Sequence, residues 1–213
     1  MTEQLEVRVQ PLRRWWLNPV AATVAILTAL VTRGDPPRVF TTLARHPRLF
    51  RRWLLFASSF LVRSALPRAD VELVILRTAW TCGSWYEWAQ HVALAGKAGL
   101  PRAAIERVPR GPGEEGWTPR QALVLRAVDE LHDDRVITDA TWTALAAELS
   151  ERQLIELCFL VGHYEMLAMT LNSLGVEPEA SALDRLDAAL SEATETLHQR
   201  LGAARRSRLK ETK

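Results

Sequence analysis

PRADVELVILRTAWTCGSWYEWAQHVALAGKAG, from Pro67 to Gly99, is the stretch whose reading decides the fold. Val71, Leu73, Val74, Leu76 and Ala79 make its first half a helix that is apolar over much of its circumference, the pattern of an element surrounded by core. Pro67 suits the first position of that helix, Gly83 breaks it, and Ser84 can cap a second helix that Gly99-Leu100-Pro101 stops. The expected product is two consecutive helices meeting at a polar elbow.

Steps of three and four residues return to one face of a helix, so Ser84, Glu87 and His91 line up on the second half. Hydroxyl, carboxylate and imidazole in a row can exchange protons, and Trp85, Tyr86 and Trp88 would dry the surroundings and strengthen those hydrogen bonds. Glu72 sits among apolar residues, where a carboxylate must be paired or carry a raised pKa. Arg77 is one available partner for it. A plainer reading stands beside this one: a Glu and a His four apart also form surface contacts of little worth, and the aromatic rings serve equally as core or interface.

Working outward, the 213 residues suit one domain with terminal appendages. The net charge is only +2, which carries no nucleic-acid footprint. Cys82 and Cys158 lie far apart inside apolar runs, as expected of reduced thiols in a cytoplasmic chain rather than of a secreted disulfide framework. Trp15 to Val31, WWLNPVAATVAILTALV, is nearly free of charge, but Asn18, Pro19 and two threonines interrupt it near the short limit for a membrane span. We read it as a buried or interface helix, with no membrane partner.

Arg33-Gly34-Asp35-Pro36-Pro37 is a stop, after which Val39 to Ala44 and Leu49 to Val62 read as helices. Beyond the elbow, Pro101 to Val108 is a short helix and Pro109 to Gly116 a loop. Thr118-Pro119 opens a helix with Leu123, Val124, Ala127, Val128 and Leu131 inward; Thr138 opens another, with Trp142 and Leu145 inward. Ser150 to Gln153 matches a capping box before a mostly apolar helix to Leu174. From Ala182, Leu183, Leu186, Leu190 and Leu197 repeat with heptad-like spacing, the mark of a docking or subunit-contact helix. Nothing alternates with period two, so the fold class is all-α. Residues 1–33 are an apolar helical appendage, 34–180 the helical domain, and 181–213 a C-terminal helix with a basic tail.

Cys82 lacks the second thiol of a C-x-x-C redox pair, since Trp85 stands three residues on. His46, His91, His132 and His163 do not fall into metal-ligand spacing, so no metal is expected. There is no glycine-rich phosphate loop and no nucleophile elbow, and hence no sign of a cofactor.

Glu72 to Leu100, ELVILRTAWTCGSWYEWAQHVALAGKAGL, resembles the core motif of the carboxymuconolactone decarboxylase family, which includes the alkyl hydroperoxidase D (AhpD-like) proteins. Val161 to Glu179 and Gly34 to Phe56 resemble its second helical signature and its N-terminal helices. The resemblance implies an AhpD-like helical bundle that assembles into homo-oligomers (dimer, trimer or hexamer) with active sites near subunit contacts. It also implies cofactor-free loss of carbon dioxide from a lactone acid.

Glu72 and His91 match the family's acid and histidine. Ser84 and Glu87 stand where the hydroperoxidase branch carries its two thiols, which disfavours a peroxidase or peroxiredoxin acting through Cys82. The resulting expectation is an acid–base lyase on a small carbonyl or lactone compound. In it His91 shuttles protons, Glu72 or Glu87 orients the imidazole, Ser84, Tyr86 and Trp88 contact substrate, and Arg77 neutralises a substrate carboxylate. A non-catalytic oligomeric binding protein is the third class in play.

Overall fold

The computed structural model describes residues 6–186 and 188–210, which form eleven α-helices, two short 3-10 turns and no strand. The last residues of the basic tail, 211–213, lie outside the described residues. In chain order the helices are α1 Pro19–Thr32, α2 Arg38–Leu43, α3 Pro47–Leu61, α4 Arg68–Thr81, α5 Trp85–Lys97 and α6 Arg102–Arg107. They continue with α7 Pro119–Asp134, α8 Asp139–Glu148, α9 Glu151–Leu174, α10 Ala180–Leu183 and α11 Ala188–Lys210.

The caps explain the boundaries. Asn18, read as an interruption, is the N-cap of α1: its side chain accepts from the Ala21 N–H at 3.2 Å, and Pro19 occupies the first turn, where no N–H is needed. The helix therefore starts later than the apolar run, and Trp15–Leu17 form a separate 3-10 turn. Thr118 and Gln121 close a reciprocal capping box at α7, with bonds of 3.2 and 3.1 Å. At α9, Gln153 accepts from the Ser150 N–H at 3.0 Å. Pro67 lies one position before α4, as its N-cap.

Helix α4 is the centre of the molecule. Val71, Leu73, Val74, Ile75, Leu76 and Ala79 are all fully buried, and they divide between two cores. Val71, Val74 and Ile75 pack with Val124 and Val128 of α7 and with Leu157, Leu160 and Val161 of α9. On the opposite side, Leu73, Leu76 and Ala79 pack with Trp88 and Val92 of α5, Leu125 of α7, and Leu190 and Leu197 of α11. A helix sandwiched in this way has little polar face to spare, so each charge it carries needs a partner.

Three local expectations are resolved. Of the two alternatives for α11, docking and subunit contact, the leucines follow the first: Leu190 and Leu197 point into the chain's own core, with Leu197 fully buried. Trp142 of α8 is exposed, and Thr141 faces inward in its place beside Leu145, which is buried as expected. Ser84 occupies the N-cap position of α5 but makes no capping bond. Its hydroxyl is buried without a hydrogen-bond partner.

Among the described residues, α9 alone has the length and apolarity to cross a membrane, and half of its most apolar stretch is buried in the protein. Ile155, Phe159, Met166 and Met169 of α9 are exposed, and Phe159 meets Phe56 of α3 edge to face.

Candidate active site

Gly83 makes the elbow possible. Its φ of 63° is left-handed, a conformation glycine adopts without steric cost, and it turns the chain between α4 and α5 within a few residues. The two helices then lie side by side, and Glu72 of α4 faces His91 of α5. His91 Nδ1–H donates to Glu72 Oε2 at 2.7 Å. The other carboxylate oxygen, Oε1, takes the guanidinium of Arg68, one helical turn earlier. Glu72 has no exposed surface, so this double pairing is what lets a carboxylate stay in the core.

The far nitrogen of His91, Nε2, faces the Tyr164 hydroxyl at 3.4 Å, and the two rings meet edge to face. Burial, reinforced by the negative charges of Glu72 and Glu87, pushes the Tyr164 hydroxyl well above its ordinary pKa, so it remains a donor. Arg68, Glu72, His91 and Tyr164 thus form one polar chain through the core. His91 retains 8% of its surface exposed against 0% for Glu72 and 2% for Tyr164, while Arg68 at the outer end of the chain is more than a third exposed.

Glu87 does not join this chain. It is buried, and neither carboxylate oxygen has a hydrogen-bond partner. Burial raises its pKa to about 8 against the weaker, opposing influence of the nearby Ser84 hydroxyl. A protonated acid one turn from His91 is the consequence. On the other side of Tyr164, His163 stacks on Trp53 and packs against Phe56 and Phe60, and its Nδ1 is likewise unpaired. Burial drives that imidazole down to about 4, so it is neutral. Trp53 also lines a cavity of about 330 Å³ with Thr42, Phe50 and Leu167.

The remaining expected residues are placed elsewhere. Tyr86 is buried, accepting from the Val39 N–H at 3.0 Å and donating to Glu179 Oε1 at 3.2 Å. Gln90 and the Arg38 N–H also converge on Glu179, so Tyr86 belongs to a clasp between α5 and the segment before α10 rather than to a binding surface. Trp88 is fully enclosed against Trp80. Arg77, expected to meet a substrate carboxylate or Glu72, holds both oxygens of Asp129 at 2.6 and 2.9 Å and donates to the Val108 carbonyl at 2.8 Å. Its fork is already occupied.

Cys82 ends α4 as a free thiol, and burial pushes its pKa up to about 12, the opposite of an activated thiolate. The sequence reading missed Arg68 and Tyr164. The i,i+4 spacing of Arg68 and Glu72 was the available signal for the first; Tyr164 had none beyond its place on a helix able to approach the elbow.

The helical bundle around a polar elbow places this protein in the alkyl hydroperoxidase D-like fold. An uncharacterized peroxidase-related protein from Ralstonia eutropha JMP134, described as an alkylhydroperoxidase AhpD core, superposes with a TM-score of 0.74 at 15% identity, covering 84% of this chain and 95% of its own. A peroxidase-related protein from Silicibacter sp. TM1040 gives 0.69 at 14% identity, covering 84% and 93%. The debrominase Bmp8, bound to 2,3,4-tribromopyrrole, gives 0.74 at 14% identity, covering 90% and 100%.

At these identities the likeness shows the fold alone. No curated protein matches the chain. Residues 47–130, from the start of α3 into α7, match the model of the carboxymuconolactone decarboxylase family.

Proposed function

We propose that this protein is a cofactor-free acid–base enzyme that decarboxylates, or performs a related lyase reaction on, a small carbonyl or lactone acid, with His91 as the proton carrier. The observation that carries the reading is the Arg68, Glu72, His91 and Tyr164 chain, in which a buried carboxylate and a buried hydroxyl flank an imidazole that keeps a small exposed surface. In such a reaction the substrate's C–C bond breaks, carbon dioxide leaves, and the electron pair moves into an enolate on the carbonyl. The Nε2–H of the imidazolium then protonates the enolate carbon, and solvent restores the proton. Glu72 stabilises the imidazolium through Nδ1 and orients the ring; Tyr164, facing Nε2, fixes its tilt.

Neutral Glu87 supports the same reading, because an uncharged carboxyl does not repel an anionic substrate. A peroxidase reaction through Cys82 is disfavoured: no second thiol follows at C-x-x-C spacing, and Cys158 sits on α9 against the first core. The exposed apolar row of α9 and α3 supports self-assembly as part of the proposal, in a cytoplasmic setting.

The test is a panel of γ-lactone and keto carboxylic acids scored for carbon dioxide release. The reading expects at least one acid to be consumed by the full chain and spared by His91→Ala. Consumption of none, or equal consumption by both proteins, overturns it.

A further inference from the structure

Away from the Glu72–His91 pair, on the other side of the elbow, three groups that the proposed reaction does not use come together from three helices. Cys82 lies at the end of α4, His132 in the last turn of α7 and Glu165 in the middle of α9. Cys82 Sγ is 3.8 Å from His132 Nδ1, His132 Nδ1 is 2.7 Å from Glu165 Oε1, and one ligand atom from each residue falls within 4.8 Å of the others. All three are half-buried, so water and ions reach them.

We propose that Cys82, His132 and Glu165 form a zinc-binding site, with thiolate, imidazole and carboxylate as three ligands and water as the fourth. Tetrahedral zinc with bonds of about 2.3 Å to sulfur and about 2.0–2.1 Å to nitrogen and oxygen sets its S···N ligand separation near 3.6 Å and its N···O separation near 3.4 Å. The Cys82–His132 spacing is already within a few tenths of an ångström of the first figure. The His132–Glu165 pair has to open by less than 1 Å, as expected when a direct hydrogen bond gives way to a shared ion. The donor set also selects the metal: one soft sulfur with one nitrogen and one oxygen suits zinc, whereas calcium and magnesium take oxygen ligands.

Coordination replaces the thiol proton, which passes to solvent. The competitor is Arg135, whose guanidinium lies 3.2 and 3.1 Å from the two Glu165 oxygens. That side chain is 68% exposed and can swing into water as the ion enters.

The experiment titrates the full chain, stripped with chelator, with cobalt(II) as a spectroscopic stand-in for zinc. The proposal expects one cobalt per chain, with a thiolate-to-cobalt band in the near ultraviolet and tetrahedral bands in the visible, all erased by added zinc. Cys82→Ser abolishes the thiolate band and Cys158→Ser keeps it. His132→Gln and Glu165→Gln each weaken binding at least tenfold, and Arg135→Ala tightens it several-fold. Arg135→Ala removes only an exposed side chain, so it reports even where another variant folds poorly. Absence of the band at saturating cobalt, its survival in Cys82→Ser, or no change in affinity in both His132→Gln and Arg135→Ala overturns the proposal.

Discussion

Glu72 and His91 are 19 residues apart in sequence and 2.7 Å apart in space, joined across two helices that a single left-handed glycine folds together. The pair lies in the most buried layer of the molecule, where a carboxylate is held only by good geometry and full hydrogen bonding. Its energetic and chemical consequences differ for each residue in the chain.

Removing Glu72 strands its two cationic or polar partners. Glu72→Ala should lower unfolding stability by about 3–5 kcal/mol, since the carboxylate is fully buried and His91 loses its acceptor. Arg68→Ala should cost roughly 1 kcal/mol or less, because that side chain is more than a third exposed and screened by water. Urea unfolding of the two variants checks the order, and equal losses would contradict it.

Glu87 makes stability depend on pH. Folding raises its pKa from 4.5 to about 8, so between those values the native state holds a proton that the unfolded chain has released. The sign follows: its contribution is fully present below about pH 4.5, declines as pH rises toward 8, and is flat beyond that. Glu87→Gln removes the titration. Relative to the parent, the glutamine variant should therefore gain a few kcal/mol between pH 5 and pH 9, measured by denaturant midpoints at each pH. Parallel pH profiles for the two proteins would contradict a proton held at Glu87.

Helix α11 belongs to the same cooperative unit as the elbow. Leu197 is fully buried against the core that contains Trp88 and Leu76, and Leu197→Ala should cost about 2–5 kcal/mol by leaving a cavity. A loss below about 0.5 kcal/mol, by thermal or chemical unfolding, would mean that α11 merely rests on the surface.

The outer row of α9 predicts assembly. Ile155, Phe159, Met166 and Met169 recur on one face and stay exposed, with Phe56 of α3 against Phe159. Phe159→Lys should shift sedimentation from an assembled species to a smaller one while leaving helix content unchanged. Equal sedimentation of parent and variant would place any contact elsewhere.

Much of this architecture was legible in the chain itself. The stop at Gly34 to Pro37, the Thr118-Pro119 start of α7, the α9 capping box and the all-round apolarity of α4 act locally, so residues near in sequence announce them. Contacts across helices do not. Helical spacing offered Glu87 as the partner of His91, being one turn away on the same helix, but the elbow supplied Glu72 from the helix before. The leucines of α11 read as a docking or a subunit contact because spacing reveals an apolar face without revealing what covers it; it is the first that the packing shows. Cys82, His132 and Glu165 are separated by 50 and 33 residues, and only the packing of α4, α7 and α9 joins them.

The family resemblance located Glu72 and His91 together where spacing alone did not. It did not reach Arg68 or Tyr164.

The account rests on His91 as the group that carries the proton, and the kinetics of His91→Gln on the acid that the parent consumes test this most directly. Glutamine preserves size and polarity but carries no titratable proton, so kcat should fall by about 10²–10⁴-fold, the range of general acid–base catalysis, while KM stays within about twofold. A kcat for His91→Gln equal to that of the parent would contradict the account.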